Sequence, residues 1–123
     1  MTGHAAVIGL DIGTSGVRAA LFDDSANEIF SVRIGRDASL LSDFTELNPD
    51  KLVDEVIRAI DKLFAEVSDV HDVEAIAISA FWHSLLGIDS NGLPATPVLT
   101  WADTRATRFA KTLSIDFNER EIH

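Results

Sequence analysis

The chain has 123 residues, 46% hydrophobic and 24% charged, the balance of a folded globular protein and a length that suits one domain with an ordinary core. Twenty acidic against ten basic side chains give a formal charge of −10, which repels nucleic-acid phosphates and anionic membrane surfaces, so neither is expected as a partner. With no cysteine there is no disulfide and no thiolate metal site, in keeping with a reducing compartment.

Met1-Thr2-Gly3-His4 carries no basic cluster, and the apolar run after it is broken at Asp11. Neither a signal peptide nor a membrane span is expected, and the location expected is cytoplasmic. Residues 5–10 are almost continuously apolar, too short for a buried helix and rich enough in Val and Ile for a central strand. Residues 17–22 give a second strand, closed by the turn formers Asp23-Asp24-Ser25-Ala26-Asn27. Residues 28–36 alternate more weakly in a third, Glu28, Phe30, Val32 and Ile34 against Ile29, Ser31 and Arg33. The three form an antiparallel meander.

Residues 37–48 have no clean period and read as a loop crossing the sheet. Asn48-Pro49-Asp50 opens a helix, with Asn as cap, Pro in the first turn and Asp complementing the helix dipole. Leu52, Val53, Val56, Ile57, Ile60, Leu63, Phe64 and Val67 recur at three- and four-residue steps and give it an apolar face of about five turns. Residues 73–79 return to a short apolar run, a parallel partner for the first strand after a helical crossover. Residues 85–89 and 98–101 flank Ser90-Asn91-Gly92-Leu93-Pro94, and Asn-Gly predicts a second hairpin. Asp103 or Thr104 then caps a last helix with Ala106, Phe109, Ala110 and Leu113 on its apolar face. This order opens the ribonuclease H-like α/β fold, a mixed sheet with a β-meander and a crossover helix. It is not the alternating pattern of a doubly wound dinucleotide domain.

The segment between the first two strands carries the chemistry. Gly9, Gly13 and Gly16 do not have the G-x-G-x-x-G spacing and no helix begins at Val17; no Gly-Lys-Ser/Thr of a Walker loop occurs anywhere. Small residues let the backbone approach anionic oxygens, Thr14 and Ser15 offer hydroxyls, and Asp11 suits a hydrated Mg²⁺ that bridges phosphates. The same residues also suit a plain hairpin in which Asp11 bonds its own turn.

The run Gly9-Leu10-Asp11-Ile12-Gly13-Thr14-Ser15-Gly16-Val17-Arg18 resembles the first phosphate motif of the sugar-kinase, actin and Hsp70 superfamily, and its Val-Arg-Ala continuation resembles the FGGY carbohydrate kinases. Glu46 with Asn48-Pro49 is similar to the acid-x-x-Pro start of their first long helix. Ala77-Ile78-Ser79-Ala80-Phe81-Trp82-His83-Ser84 is similar to their sugar-facing strand and loop. Asp89, Gly92 and Pro94, followed by Trp101-Ala102-Asp103-Thr104-Arg105, resemble the family's hairpin and Trp-x-Asp-x-Arg segment. The likeness spans nearly the whole chain and is nearer to gluconate kinases and pentulose kinases than to glycerol kinases.

That resemblance implies transfer of the γ-phosphoryl of ATP to a sugar or sugar-acid hydroxyl. It implies Asp11 near Mg²⁺, through water, and Gly13, Thr14, Ser15 and Arg18 at the phosphates or ADP. Gly16 stands where the family often has a third hydroxyl. His83 is implied as a hydrogen-bonding contact to sugar and Trp82 as an apolar cover. Trp101 either lines the sugar pocket or seals the hairpin against the sheet, and Asp103 either binds sugar or caps the helix. Arg105 and Arg108 read equally well as solvated helix charges, and His4, His71 and His123 as surface residues with no metal cluster. No catalytic residue is expected in the chain, because the family's catalytic Asp, adenosine pocket and second phosphate loop come later in sequence. The expectation is an incomplete first domain, inactive alone, with an open sheet edge suited to a homodimer. Two alternatives are a non-catalytic binding module of the same fold and an ATPase of the actin or Hsp70 type.

Overall fold

The structure, a computed structural model, describes residues 5–36, 45–67 and 72–116. The expected loop over 37–44 and the surface assignments of His4, His71 and His123 lie outside the described residues. Strands β1 (Ala5–Gly13), β2 (Gly16–Asp23) and β3 (Glu28–Gly35) form the meander. Helix α1 (Pro49–Glu66) crosses to β5 (Asp72–Ala80), which runs parallel to β1. The sheet order is β3-β2-β1-β5. The fold is the mixed α/β architecture expected of the actin, sugar-kinase and Hsp70 group.

Alternation decides which face each residue takes. Ala6, Ile8 and Leu10 of β1, Val17, Ala19 and Leu21 of β2 and Val32 of β3 are buried under Ala59 and Leu63 of α1. Each large apolar side chain buried there contributes roughly 1.5–3 kcal/mol. The neighbours between them, Asp11, Arg18 and Arg33 among them, are left on the opposite face. The Asn48 carboxamide oxygen accepts the Lys51 N–H at 3.0 Å and Pro49 occupies the first turn, so α1 starts where its cap predicts.

Four expectations are corrected. The first strand extends to Gly13, so Asp11 lies inside the ladder, opposite Arg18 on one side and Ser79 on the other, and the turn contains only Thr14 and Ser15. Strand β4 (Glu46–Leu47), inside the segment read as loop, pairs with β6 (Val98–Leu99) in a separate two-stranded sheet. The second hairpin exists as isolated bridges, Leu85 to Leu99 and Ile88 to Pro94, rather than as a ladder, and Leu99 also pairs with Glu46. Its tip closes as Asn-Gly predicts, with Gly92 at φ 79° and the Asp89 carboxylate accepting the N–H groups of Asn91 and Leu93. Finally, α2 (Thr107–Asp116) starts three residues beyond Thr104, since the Asp103 carboxylate is taken by Arg105.

Helix α1 packs on β2 and β3, not across the whole sheet. Val53, Ile57 and Phe64 therefore stay exposed on its flank, as do Ile76 and Ile78 on the helix side of β5. Among the described residues no helix is long and apolar enough to cross a membrane.

Candidate functional site

Two segments converge at one end of the sheet because β1 and β5 are parallel and both end there. Beyond β1 lies the Thr14-Ser15 turn. Beyond β5, the Phe81 N–H still donates to the Ile12 carbonyl at 3.0 Å, and Trp82-His83 follow directly. Ligands of open α/β sheets bind outside the carboxyl ends of parallel strands, and this end carries Thr14, Ser15, Trp82 and His83.

The turn is held from behind. Gly13 and Thr14 carbonyls accept from one terminal nitrogen of Arg36 at 2.7 and 3.0 Å, and the Ser15 carbonyl accepts the Arg36 backbone N–H at 3.0 Å. The Ser15 hydroxyl accepts from Arg33 at 2.8 Å. The Thr14 and Ser15 N–H groups have no backbone partner among the described residues. Gly16 begins β2 at φ 147°, a conformation side-chain-bearing residues avoid.

Asp11 is exposed and lies at the rim of a depression of about 300 Å³ on the sheet face opposite α1, floored by Gly9, Ala20 and Ala77 and bounded by Arg18, Phe22 and Ser79. Arg18 is paired with Glu28, and Ser31 and then Arg18 hold the Glu28 carboxyl below the usual carboxylate range. Its charge is thus shared with β3, while Arg33, its cross-strand neighbour, reaches the turn. Among the described residues no three His, Asp or Glu side chains gather as a metal cage. The exposed Asp11 carboxylate, in register with Ser79, fits Mg²⁺, which keeps most of its waters and is held by one or two carboxylates and the substrate's phosphates.

On the other wall, His83 sits at φ 58°, in the left-handed region where a non-glycine residue is uncommon and more frequent at ligand sites. Its ring lies 6.2 Å from that of Trp82 at an interplanar angle of 24°, and Trp82 is 79% exposed, so the pair is offered to solvent rather than packed. The Leu85 to Leu99 bridge brings the Trp101 segment alongside. Thr100 is buried and its N–H donates to the Thr45 carbonyl, whereas Trp101 is 64% exposed and does not seal the hairpin.

Asp103 accepts from the Arg105 backbone N–H at 2.9 Å and from its guanidinium at 2.5 to 3.0 Å, and the same guanidinium reaches Glu46 at 2.7 Å. The Arg105 side chain, then its N–H, holds Asp103 below the usual carboxylate range; Asp103 and then Glu46 push Arg105 up. Arg105 lies before α2, so it is a clamp between strand β4 and the Trp101 segment and not a solvated helix charge. Arg108, in the helix as expected, lies over the ring of Phe109.

Sequence reasoning missed Arg33, Arg36, Glu55 and the Glu46–Arg105 clamp. One signal was available: Glu55 stands three residues after Leu52 and four before Ala59, on the apolar stripe of α1, and a carboxylate there demands a cation.

The model of a family described as "FGGY family of carbohydrate kinases, N-terminal domain" matches residues 6–123. The gluconokinase of Bacillus subtilis (strain 168) is 29% identical over 118 residues, covering 95% of this chain and 23% of that protein. The xylulose kinase of Staphylococcus xylosus is 28% identical over 105 residues, covering 85% of this chain and 22% of its own length. Among solved structures, the gluconate kinase of Lactobacillus acidophilus superposes with a TM-score of 0.79 over 93% of this chain and 23% of that one, at 24% identity, a likeness of fold. A xylulose kinase of Brucella ovis gives 0.77 at 26% identity, over 90% of this chain and 24% of that one. The chain spans under a quarter of the length of the curated relatives it matches.

Proposed function

Since this chain belongs to the FGGY family of carbohydrate kinases, matching its N-terminal domain, we propose that it forms one wall of an ATP-dependent kinase site that phosphorylates a hydroxyl of a sugar acid or ketopentose. The observation that carries this is the shared end of β1 and β5, which puts the Thr14-Ser15 turn and the Trp82-His83 pair next to each other. In this reading the turn N–H groups, the Thr14 and Ser15 hydroxyls and Gly13 take the transferring phosphate, with Arg18 and Arg33 as neighbouring cations. His83 hydrogen-bonds a sugar hydroxyl, while Trp82 and Trp101 cover apolar carbon faces. Asp103 supports the sugar side indirectly, by holding Arg105 and with it the Trp101 segment. The names of the relatives favour gluconate or xylulose as acceptor.

Phosphoryl transfer depends mostly on position and charge: the acceptor oxygen bonds phosphorus, the bond to ADP breaks and the hydroxyl proton leaves to a base. Mg²⁺, when bound, neutralises charge on the phosphates; Asp11 is the residue to orient its waters. The base and the adenosine pocket are assigned to sequence outside these 123 residues, so the domain is incomplete by itself. Among the described residues β5 is an edge strand, which suits pairing with a second copy, and use of ATP suits a cytoplasmic location.

Amide resonances of the 123-residue chain titrated with Mg·ATP, then with gluconate and with xylulose, test this. Mg·ATP is expected to shift Thr14 and Ser15, and a sugar to shift His83 and Trp101. If no ligand moves any resonance, the result favours a non-catalytic module of the same fold. No turnover is expected, and sugar phosphorylation by this chain alone would refute its incompleteness.

A further inference from the structure

We infer that Arg36 is a positioning residue for the phosphate turn, anchored by Glu55 of α1. In a trans peptide the carbonyl and the following N–H point in opposite directions, and there is no cis bond among the described residues. Arg36 collects three consecutive carbonyls, those of Gly13 and Thr14 on its guanidinium and that of Ser15 on its own N–H. Drawing the first two carbonyls toward Arg36 turns the N–H groups of Thr14 and Ser15 away from it, side by side, and successive outward N–H groups make an anion-binding concavity.

A guanidinium is suited to this because its fork is planar and its donors are fixed relative to one another. Here the fork is itself fixed. The Arg36 side chain is 8% exposed, its Nε donates to a Glu55 carboxylate oxygen at 2.7 Å, and its second terminal nitrogen lies 2.6 Å from the same oxygen as an ion-pair contact without hydrogen-bond geometry. Glu55 is 19% exposed on the second turn of α1, the most regular element of the fold. The turn is therefore referenced to the helix and not only to its own hairpin. A lysine keeps the charge but cannot span two carbonyls and a carboxylate from one planar group.

The inference rests on the turn being a phosphate site, and the test separates the two. Mg·ATP is titrated into the 123-residue wild type, Arg36→Lys, Glu55→Gln and Ala59→Gly, following the Thr14 and Ser15 amides; Ala59→Gly lowers stability from the buried face of α1 without touching the turn. Arg36→Lys is expected to bind Mg·ATP about tenfold more weakly, the scale of one hydrogen bond to a charged group. The backbone N–H of residue 36, which donates to the Ser15 carbonyl, is expected to exchange faster in Arg36→Lys without ligand, while those of Ile8 and Ala19 do not. Glu55→Gln, which loosens the anchor and leaves the cation, is also expected to weaken binding; tighter binding would mean that Arg36 acts as a plain charge, and would overturn the inference. So would unchanged affinity in Arg36→Lys, or an equal loss in Ala59→Gly. If Mg·ATP leaves the wild-type turn amides unmoved, the phosphate reading itself falls and takes this inference with it.

Discussion

Replacing Gly16 tests how narrowly the turn is built. A Cβ at this position would sit 2.1 Å from the Ile34 carbonyl oxygen and 3.0 Å from the Gly35 Cα, against 3.4 to 4 Å for an ordinary contact. The obstacle is backbone on the neighbouring strand, so no side-chain rotation relieves it. The φ of 147° adds roughly 1–3 kcal/mol of strain for any residue with a Cβ. Parting β2 from β3 at the Gly16–Gly35 pair forfeits about 1 kcal/mol more in hydrogen bonding. A loss of about 2–4 kcal/mol follows for Gly16→Ala, against a total of roughly 5–15 kcal/mol for a domain, with the midpoint of thermal unfolding falling by roughly 10 °C. Gly16→Ser, which restores the hydroxyl that resemblance to the family suggests, carries the same Cβ and the same cost. Urea unfolding followed by circular dichroism measures the loss, with Gly35→Ala as control: its Cβ meets nothing within 4 Å, so its effect is about 0.5 kcal/mol or a slight gain. A Gly16→Ala chain as stable as wild type, or a Gly35→Ala chain equally damaged, refutes the reasoning.

Leu63→Ala, at a position 1% exposed beneath the sheet, should cost about 2–5 kcal/mol in the same assay. Trp82→Ala should leave the unfolding midpoint nearly unchanged because the ring is exposed, yet abolish the sugar-induced shift at His83 seen in the wild type. His83→Gly relieves the left-handed backbone and should hold or raise the midpoint, whereas a β-branched residue there, His83→Val, should lower it by about 1–2 kcal/mol; equal midpoints would count against strain at this position. In Trp82→Phe, Trp101 is the sole tryptophan and reports on the Asp103–Arg105 clamp. Asp103 has a lowered pKa, so the clamp's stabilisation is complete above the ordinary aspartate value of about 4 and is lost as pH falls through the lower folded value. Trp101 emission should be flat above about pH 5 and change below about pH 4, and adding Asp103→Asn should remove that step.

Whatever depended on near neighbours in sequence was legible before the structure. Asn48 caps α1 through Lys51, three residues on; the apolar period of α1 and the alternation of β1 and β2 follow from local geometry; the Asn91-Gly92 tip closes on Asp89. The element order, and with it the fold and the family resemblance, was fixed by such local signals. What they could not supply was the partner of a charged side chain across the fold. Arg36 meets carbonyls 22 and 23 residues away and a carboxylate 19 away, and Arg33 reaches Ser15 across 18. Those meetings depend on the register of three strands and the seating of α1. The same holds for Glu46, whose two-residue strand has no period to detect and exists because residues 98–99 come to lie beside it. Sequence alone determined that a tight turn of small and hydroxyl residues follows the first strand, since such residues at a strand end set the local backbone. Only tertiary structure decided which way that turn's amides face, because their direction is imposed by a buried guanidinium held to a helix.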